Sequence, residues 1–149
     1  MGSVLVKGIN LNIEVSGSGP GLVALHGFTG STVTWDSFAA AARNNYTVVR
    51  VDLHGHGKSD SPPDPGRYQM GKCIEDLEFI LDHLELPRVH WLGYSMGARV
   101  ALGAAIAMPD RTLTLVCESG SPGLATEGER EQRIKGDGRL ADLVLTNGV

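Results

Sequence analysis

The chain reads as an α/β protein, a mostly parallel sheet flanked by helices. Three observations predict this. Short apolar runs rich in Val and Leu alternate along the chain with helical patterns. One such run passes into a helix through the turn Gly93-Tyr94-Ser95-Met96-Gly97. Finally, 149 residues with 42% apolar content and 20 glycines describe one unit with a real core and no room for a second domain.

Each element follows in order. "LNIEVSG" (11–17) alternates like an edge strand and ends in the turn "SGSGPG". "LVALHG" (22–27) and "YTVVRVDLHG" (46–55) are continuous apolar runs, as central strands covered on both faces should be. Between them "TWDSFAAAAR" (34–43) predicts a helix. From Gln69 to Leu86, the residues Met70, Ile74, Leu77, Ile80, Leu81 and Leu84 form one stripe with acidic residues opposite, and Pro87 is expected to stop that helix. "RVHWLGYS" is the next strand, "MGARVALGAAIAM" the helix after the turn, and "TLTLVCESG" (112–120) a further strand.

Composition limits the function classes. The net charge of −4 is mild and no Lys/Arg cluster occurs, so neither a nucleic-acid backbone nor an anionic membrane is an expected partner. The start, "MGSVLVKGINLN", lacks a basic segment, a long apolar run and a small-residue cleavage site, and no apolar segment approaches the ~20 residues of a membrane span. The cytoplasm is the expected compartment. Cys73 and Cys117 lie far apart without metal-ligand spacing and are expected to be buried free thiols.

The turn at Ser95 carries the chemistry. Gly-x-Ser-x-Gly between a strand and a helix demands glycines because the reversal is so tight that a Cβ at either position would strike neighbouring backbone. The serine is then held strained, with its hydroxyl exposed. "LHGFTGS" (25–31) and "VDLHGHGKSD" (51–60) end their own strands on the same edge, where open α/β sheets bind ligands. The backbone N–H groups of Phe28 and Met96 are candidates for an oxyanion hole.

Together these three stretches resemble the α/β-hydrolase fold, in the right order. "LHGFTGS" with Trp35, "GYSMGAR", and "ESGSPGLATEGEREQRIKGD" (118–137) are similar to the branch containing 2-succinyl-6-hydroxy-2,4-cyclohexadiene-1-carboxylate synthase of menaquinone biosynthesis. Two positions depart from that pattern. His54 stands where proline is common, leaving a less rigid loop with no evident chemical consequence, and Ala98 replaces a second glycine.

The resemblance implies a lyase that eliminates pyruvate from a cyclohexene polycarboxylate, begun by an activated serine, with no metal or nucleotide cofactor. A polycarboxylate substrate calls for fixed cations, and arginine offers a planar fork. Arg99 lies one helical turn past Ser95, Arg133 is the counterpart of a substrate-binding arginine in the presumed lid, and Tyr94 can hold a substrate oxygen. His26 joins the binding residues as an orienting group rather than a base. Each has a plainer reading: Arg99 as a solvated helix residue, Arg130 and Arg133 as ordinary charges. His54 and His56 are expected to hydrogen-bond a loop, His83 and His90 to lie at the surface or a strand end, and Trp35 and Trp91 to belong to the core.

One component is missing. The fold orders its triad as serine, acid, histidine, yet all five histidines precede Ser95. Glu118 follows the last strand but has no histidine to orient. The expectation is therefore an N-terminal part of a longer enzyme, with residues 1–122 in the hydrolase core, 123–149 opening a helical lid, and later strands absent. Such a chain would be nearly inert alone and prone to self-association through a bare sheet edge. A serine esterase, thioesterase or carbon–carbon hydrolase, and a non-catalytic protein that binds carboxylates or is completed by a partner, stay open as alternatives.

Overall fold

The computed structural model describes residues 2–148. Six strands form one sheet: β1 (Ser3–Val6), β2 (Ile9–Ser16), β3 (Gly21–Leu25), β4 (Thr47–Val51), β5 (Val89–Tyr94) and β6 (Thr112–Glu118), in the spatial order β1-β2-β4-β3-β5-β6. β4, β3, β5 and β6 run parallel, and β1 and β2 add an antiparallel extension. Four α-helices accompany them: α1 (Asp36–Ala42), α2 (Met70–His83), α3 (Met96–Ala107) and α4 (Glu127–Asn147).

Alternation along the central strands divides the core in two. Val23, Leu25, Val49, Val51 and Trp91 point to one face, where Leu77, Ile80 and Leu81 of α2 and Val100, Ala101 and Ala104 of α3 close over them. Leu22, Ala24, Val48 and Leu92 point to the other face and meet Trp35, just before α1, and Ala39 of α1. The expectation of central strands covered on both sides is met, and both tryptophans are buried.

Four expectations are corrected. The alternating segment at 11–17 is not an edge strand. β1 lies outside it, joined by a two-residue hairpin whose central residues Lys7 and Gly8 both have positive φ (48° and 85°), the twist-matched turn that such hairpins favour. Helix α2 is not stopped by Pro87. It ends at a left-handed Glu85 (φ 54°), where the Leu86 N–H donates to the Leu81 carbonyl at 2.9 Å and the Glu85 N–H to that of Asp82 at 3.1 Å. Met70, assigned to the buried stripe, is 41% exposed. Cys73 and Cys117 are free, but Cys117 is exposed and Cys73 only partly buried.

β6 borders the sheet beyond β5, with Leu113 and Val116 exposed along it. α4 buries none of its residues. Among the described residues no helix is long and apolar enough to cross a membrane.

Trp91 is the largest side chain with no solvent exposure, and its Nε1 donates to Thr112 Oγ1 at 3.1 Å, tying β5 to β6. Trp91→Ala is expected to lower unfolding free energy by about 3–5 kcal/mol, measured by urea titration, because it empties a site between sheet and helices that cannot fully collapse.

Candidate active site

The carboxyl ends of β3, β4, β5 and β6 lie on one edge of the sheet, and the loops leaving them make the site. The turn after β5 holds Ser95 at φ 51° and ψ −108°, a conformation that costs a non-glycine residue of order 1–3 kcal/mol. Its neighbours enforce it. A Cβ on Gly93 would lie 2.4 Å from the Gly97 carbonyl oxygen, and one on Gly97 would lie 2.2 Å from that of Leu25. The Ser95 N–H donates to the Glu118 carbonyl at 2.8 Å, which anchors the turn to the end of β6. The predicted elbow is therefore present, for the predicted reason.

A cleft of about 630 Å³ opens beside Ser95. Phe28, Met96 and Arg99 line it from the loop after β3 and from α3, and Arg133 and Asp137 line it from α4. Met96 is the first residue of α3, so its N–H is among those a helix leaves unbonded at its start. Arg99 is exposed, and no acidic partner holds it among the described residues. Arg133 donates from Nε to both carboxylate oxygens of Asp137, at 2.7 and 2.8 Å, in an exposed pair that contributes at most about 1 kcal/mol and is readily exchanged. Sequence reasoning thus brings Ser95, Phe28, Met96, Arg99 and Arg133 to one cleft. Ser119, Ser121, Asp137 and Leu140 also line it and were not anticipated, since nothing in their spacing marks them.

Two assigned residues lie elsewhere. Tyr94 does not line the cleft; its ring packs on Gly27, where a Cβ would come within 2.8 Å of it. His26 is fully buried and touches no ligand space: the Leu53 N–H donates to its Nε2 at 3.1 Å, and its Nδ1 donates to the Gly27 carbonyl at 2.7 Å. That pattern defines the neutral tautomer, and burial pushes its pKa below 6.5. His26 orients the turn by linking the loops after β3 and β4.

The loop after β4 holds two further buried groups, Asp52 and His54. Asp52, buried at the end of β4, accepts from the Thr32 N–H at 2.5 Å, the Lys58 N–H at 2.9 Å and Asn12 Nδ2 at 2.9 Å, bracing three segments around one carboxylate. Gly57 (φ 54°) is required there, because a Cβ would lie 2.1 Å from Asp52 Oδ2. His54, expected to leave the loop slack, does the reverse. It is buried, with Nε2 2.9 Å from Asp76 Oδ2 on α2 and Nδ1 3.7 Å from Cys73 Sγ. Asp76 also receives Arg67 Nη2 at 3.0 Å, so a residue assigned to the solvated face of α2 is instead buried and doubly paired. Among the described residues no group of three or more His, Cys, Asp or Glu is arranged to hold a metal ion.

The Asp76 carboxylate, followed by the Cys73 thiol, holds the His54 pKa up to about 9 from its ordinary 6.5. A folded-state pKa above the unfolded one stabilises the fold fully below the unfolded value and ceases to do so as pH rises through the folded value. The urea midpoint is therefore expected to fall between about pH 6.5 and 9. In Asp76→Asn this slope should flatten, and an unchanged slope would exclude the pair as its source.

Comparison with known proteins agrees with this geometry. The alpha/beta hydrolase fold family matches residues 20–145. A Bacillus subtilis (strain 168) protein provisionally assigned as 2-succinyl-6-hydroxy-2,4-cyclohexadiene-1-carboxylate synthase is 42% identical over 128 residues, covering 86% of this chain and 46% of that protein. A fluoroacetate dehalogenase of Burkholderia sp is 35% identical over 113 residues, 74% of this chain and 37% of its own. Among solved structures, the epoxide hydrolase VrEH1 of Vigna radiata superposes with a TM-score of 0.74 at 27% identity, over 77% of this chain and 38% of that one. The chain thus spans less than half the length of the relatives it matches. The elbow at Ser95, the parallel sheet that carries it and the matched family together place this chain in the alpha/beta hydrolase fold family.

Proposed function

We propose that the protein of which these residues form the sheet and elbow is a lyase of menaquinone biosynthesis, converting 2-succinyl-5-enolpyruvyl-6-hydroxy-3-cyclohexene-1-carboxylate to 2-succinyl-6-hydroxy-2,4-cyclohexadiene-1-carboxylate and pyruvate. The observation that carries this reading is the convergence of Arg99 and Arg133 on the cleft beside Ser95. A hydrolase acting on a neutral ester has no need of two guanidinium groups at its nucleophile, whereas a substrate bearing several carboxylates does. The 42% identity to the Bacillus subtilis protein supports the same assignment.

In this reading Ser95 begins proton abstraction from a ring carbon. As the ring double bond forms, the carbon–oxygen bond to the enolpyruvyl group breaks with its electron pair leaving on oxygen, and the departing enolate takes up a proton at its methylene carbon to become pyruvate. The N–H groups of Phe28 and Met96 face the oxygen on which negative charge develops. Arg99 and Arg133 hold carboxylates that do not react, and Asp137 yields Arg133 to the substrate. None of the histidines lines the Ser95 cleft, so the group that activates the serine is proposed to come from the rest of the protein.

Pyruvate release by the full-length protein from the enolpyruvyl substrate, followed by a coupled dehydrogenase assay, tests the assignment. Ser95→Ala is expected to lower turnover by about a thousandfold or more. Arg99→Ala should raise KM by about ten- to a hundredfold through loss of a charged hydrogen bond. Normal kinetics in Arg99→Ala would overturn the carboxylate-binding role. The strained turn that presents Ser95 also fits a second reading, a serine hydrolase of the same fold, which would instead leave an acyl group on Ser95 and show a burst with an activated ester.

A further inference from the structure

We propose that Cys73, paired with His54 on the wall of a second cleft, is a covalent modification site for apolar electrophiles that carry an activated carbon–carbon double bond. This cleft, of about 920 Å³, lies next to the Ser95 cleft and shares Phe28, Met96, Leu140 and Val144 with it. Leu53, Tyr68, Met70 and Val100 contribute to its apolar wall, and both Cys73 and His54 line it.

Three side chains stand in sequence there. Cys73 Sγ lies 3.7 Å from His54 Nδ1, and His54 Nε2 lies 2.9 Å from Asp76 Oδ2. The histidine and aspartate side chains are 3% and 1% exposed, while Cys73 is only partly buried, so the sulfur is the member of the set that a small molecule can reach. Cys73 and Asp76 are three residues apart on α2 and share a face of it, and His54 enters from the loop after β4. Cys73 is also the fourth residue of α2, near the helix end that carries partial positive charge. None of these three residues has a part in the proposed lyase chemistry. Cys117 has no such partners: its Sγ sits 3.6 Å from the Ala98 carbonyl oxygen on exposed β6.

The step is a conjugate addition. Cys73 releases its proton to solvent and the His54 imidazolium faces the thiolate. The sulfur attacks the β-carbon, a carbon–sulfur bond forms as the π bond breaks, and the α-carbon takes a proton from His54, which solvent replaces. The net change is addition of S–H across the double bond, with no leaving group and no oxidant. Apolar walls favour an uncharged ligand, since a carboxylate entering them would lose its hydration.

The test is reaction of the full-length protein with N-phenylmaleimide, with adducts located and timed by peptide mass spectrometry. Cys73 is expected to react about tenfold faster in the native protein than in the same protein unfolded in urea, and His54→Asn to remove that advantage. 6-Maleimidohexanoate should show a smaller advantage. A native rate at or below the unfolded rate would overturn the proposal, and so would an undiminished rate in a His54→Asn variant whose circular dichroism is native. If that variant fails to fold, the native-to-unfolded ratio of the unaltered protein decides. The readout is an adduct mass, so it stands or falls independently of pyruvate release.

Discussion

The close approach of α3 to β3 and β5 is the constraint on which the rest of the structure depends. Gly93 and Gly97 let the helix backbone lie against the Leu25 and His26 carbonyls, a separation no side chain permits. That contact sets the left-handed backbone of Ser95, directs its hydroxyl to the sheet edge, and fixes where α3 begins. Arg99 then falls one turn further along, beside the same cleft. Ala98 occurs between these contacts, where the helix favours it and where its Cβ packs on Gly120.

Around this contact, buried polar groups hold the loops rather than perform chemistry. His26 links the loops after β3 and β4 through both ring nitrogens, and Asp52 gathers three segments onto one carboxylate. Buried polar atoms are costly unless bonded, so each of these groups selects one arrangement of the loops it joins. The His54–Asp76 pair extends the same scheme to α2. It gives the loop the definition that a proline would otherwise supply, by charge in place of ring geometry.

Legibility in the sequence followed from the range of each interaction. The central strands, the elbow and the stripe of α2 were readable because their determinants lie within a few residues, as alternation, glycine spacing or helical period. Ser95, Phe28, Met96, Arg99 and Arg133 line one cleft, and each was named from a motif or a resemblance that acts at the same short range. β1 was missed because four residues carry too little alternation and Lys7-Gly8 is not a familiar hairpin pair. Tyr94 lies outside the cleft because adjacent residues along a strand point to opposite faces, and His26 lies outside it because its ring turns inward to bond the loops after β3 and β4. Asp76 looked solvated by helical period alone, and only the distant His54 and Arg67 make its burial tolerable.

α4 buries none of its residues, yet Arg133, Leu140 and Val144 on it form one wall of the cleft. Within this chain taken alone, a helix so placed gains little from tertiary packing, and its local opening free energy is expected near the bottom of the range found within a fold. Whatever ligand engages Arg133 must therefore draw part of its binding energy into ordering that helix. Its measured affinity reports the intrinsic contact multiplied by the fraction of molecules in which the wall is already formed.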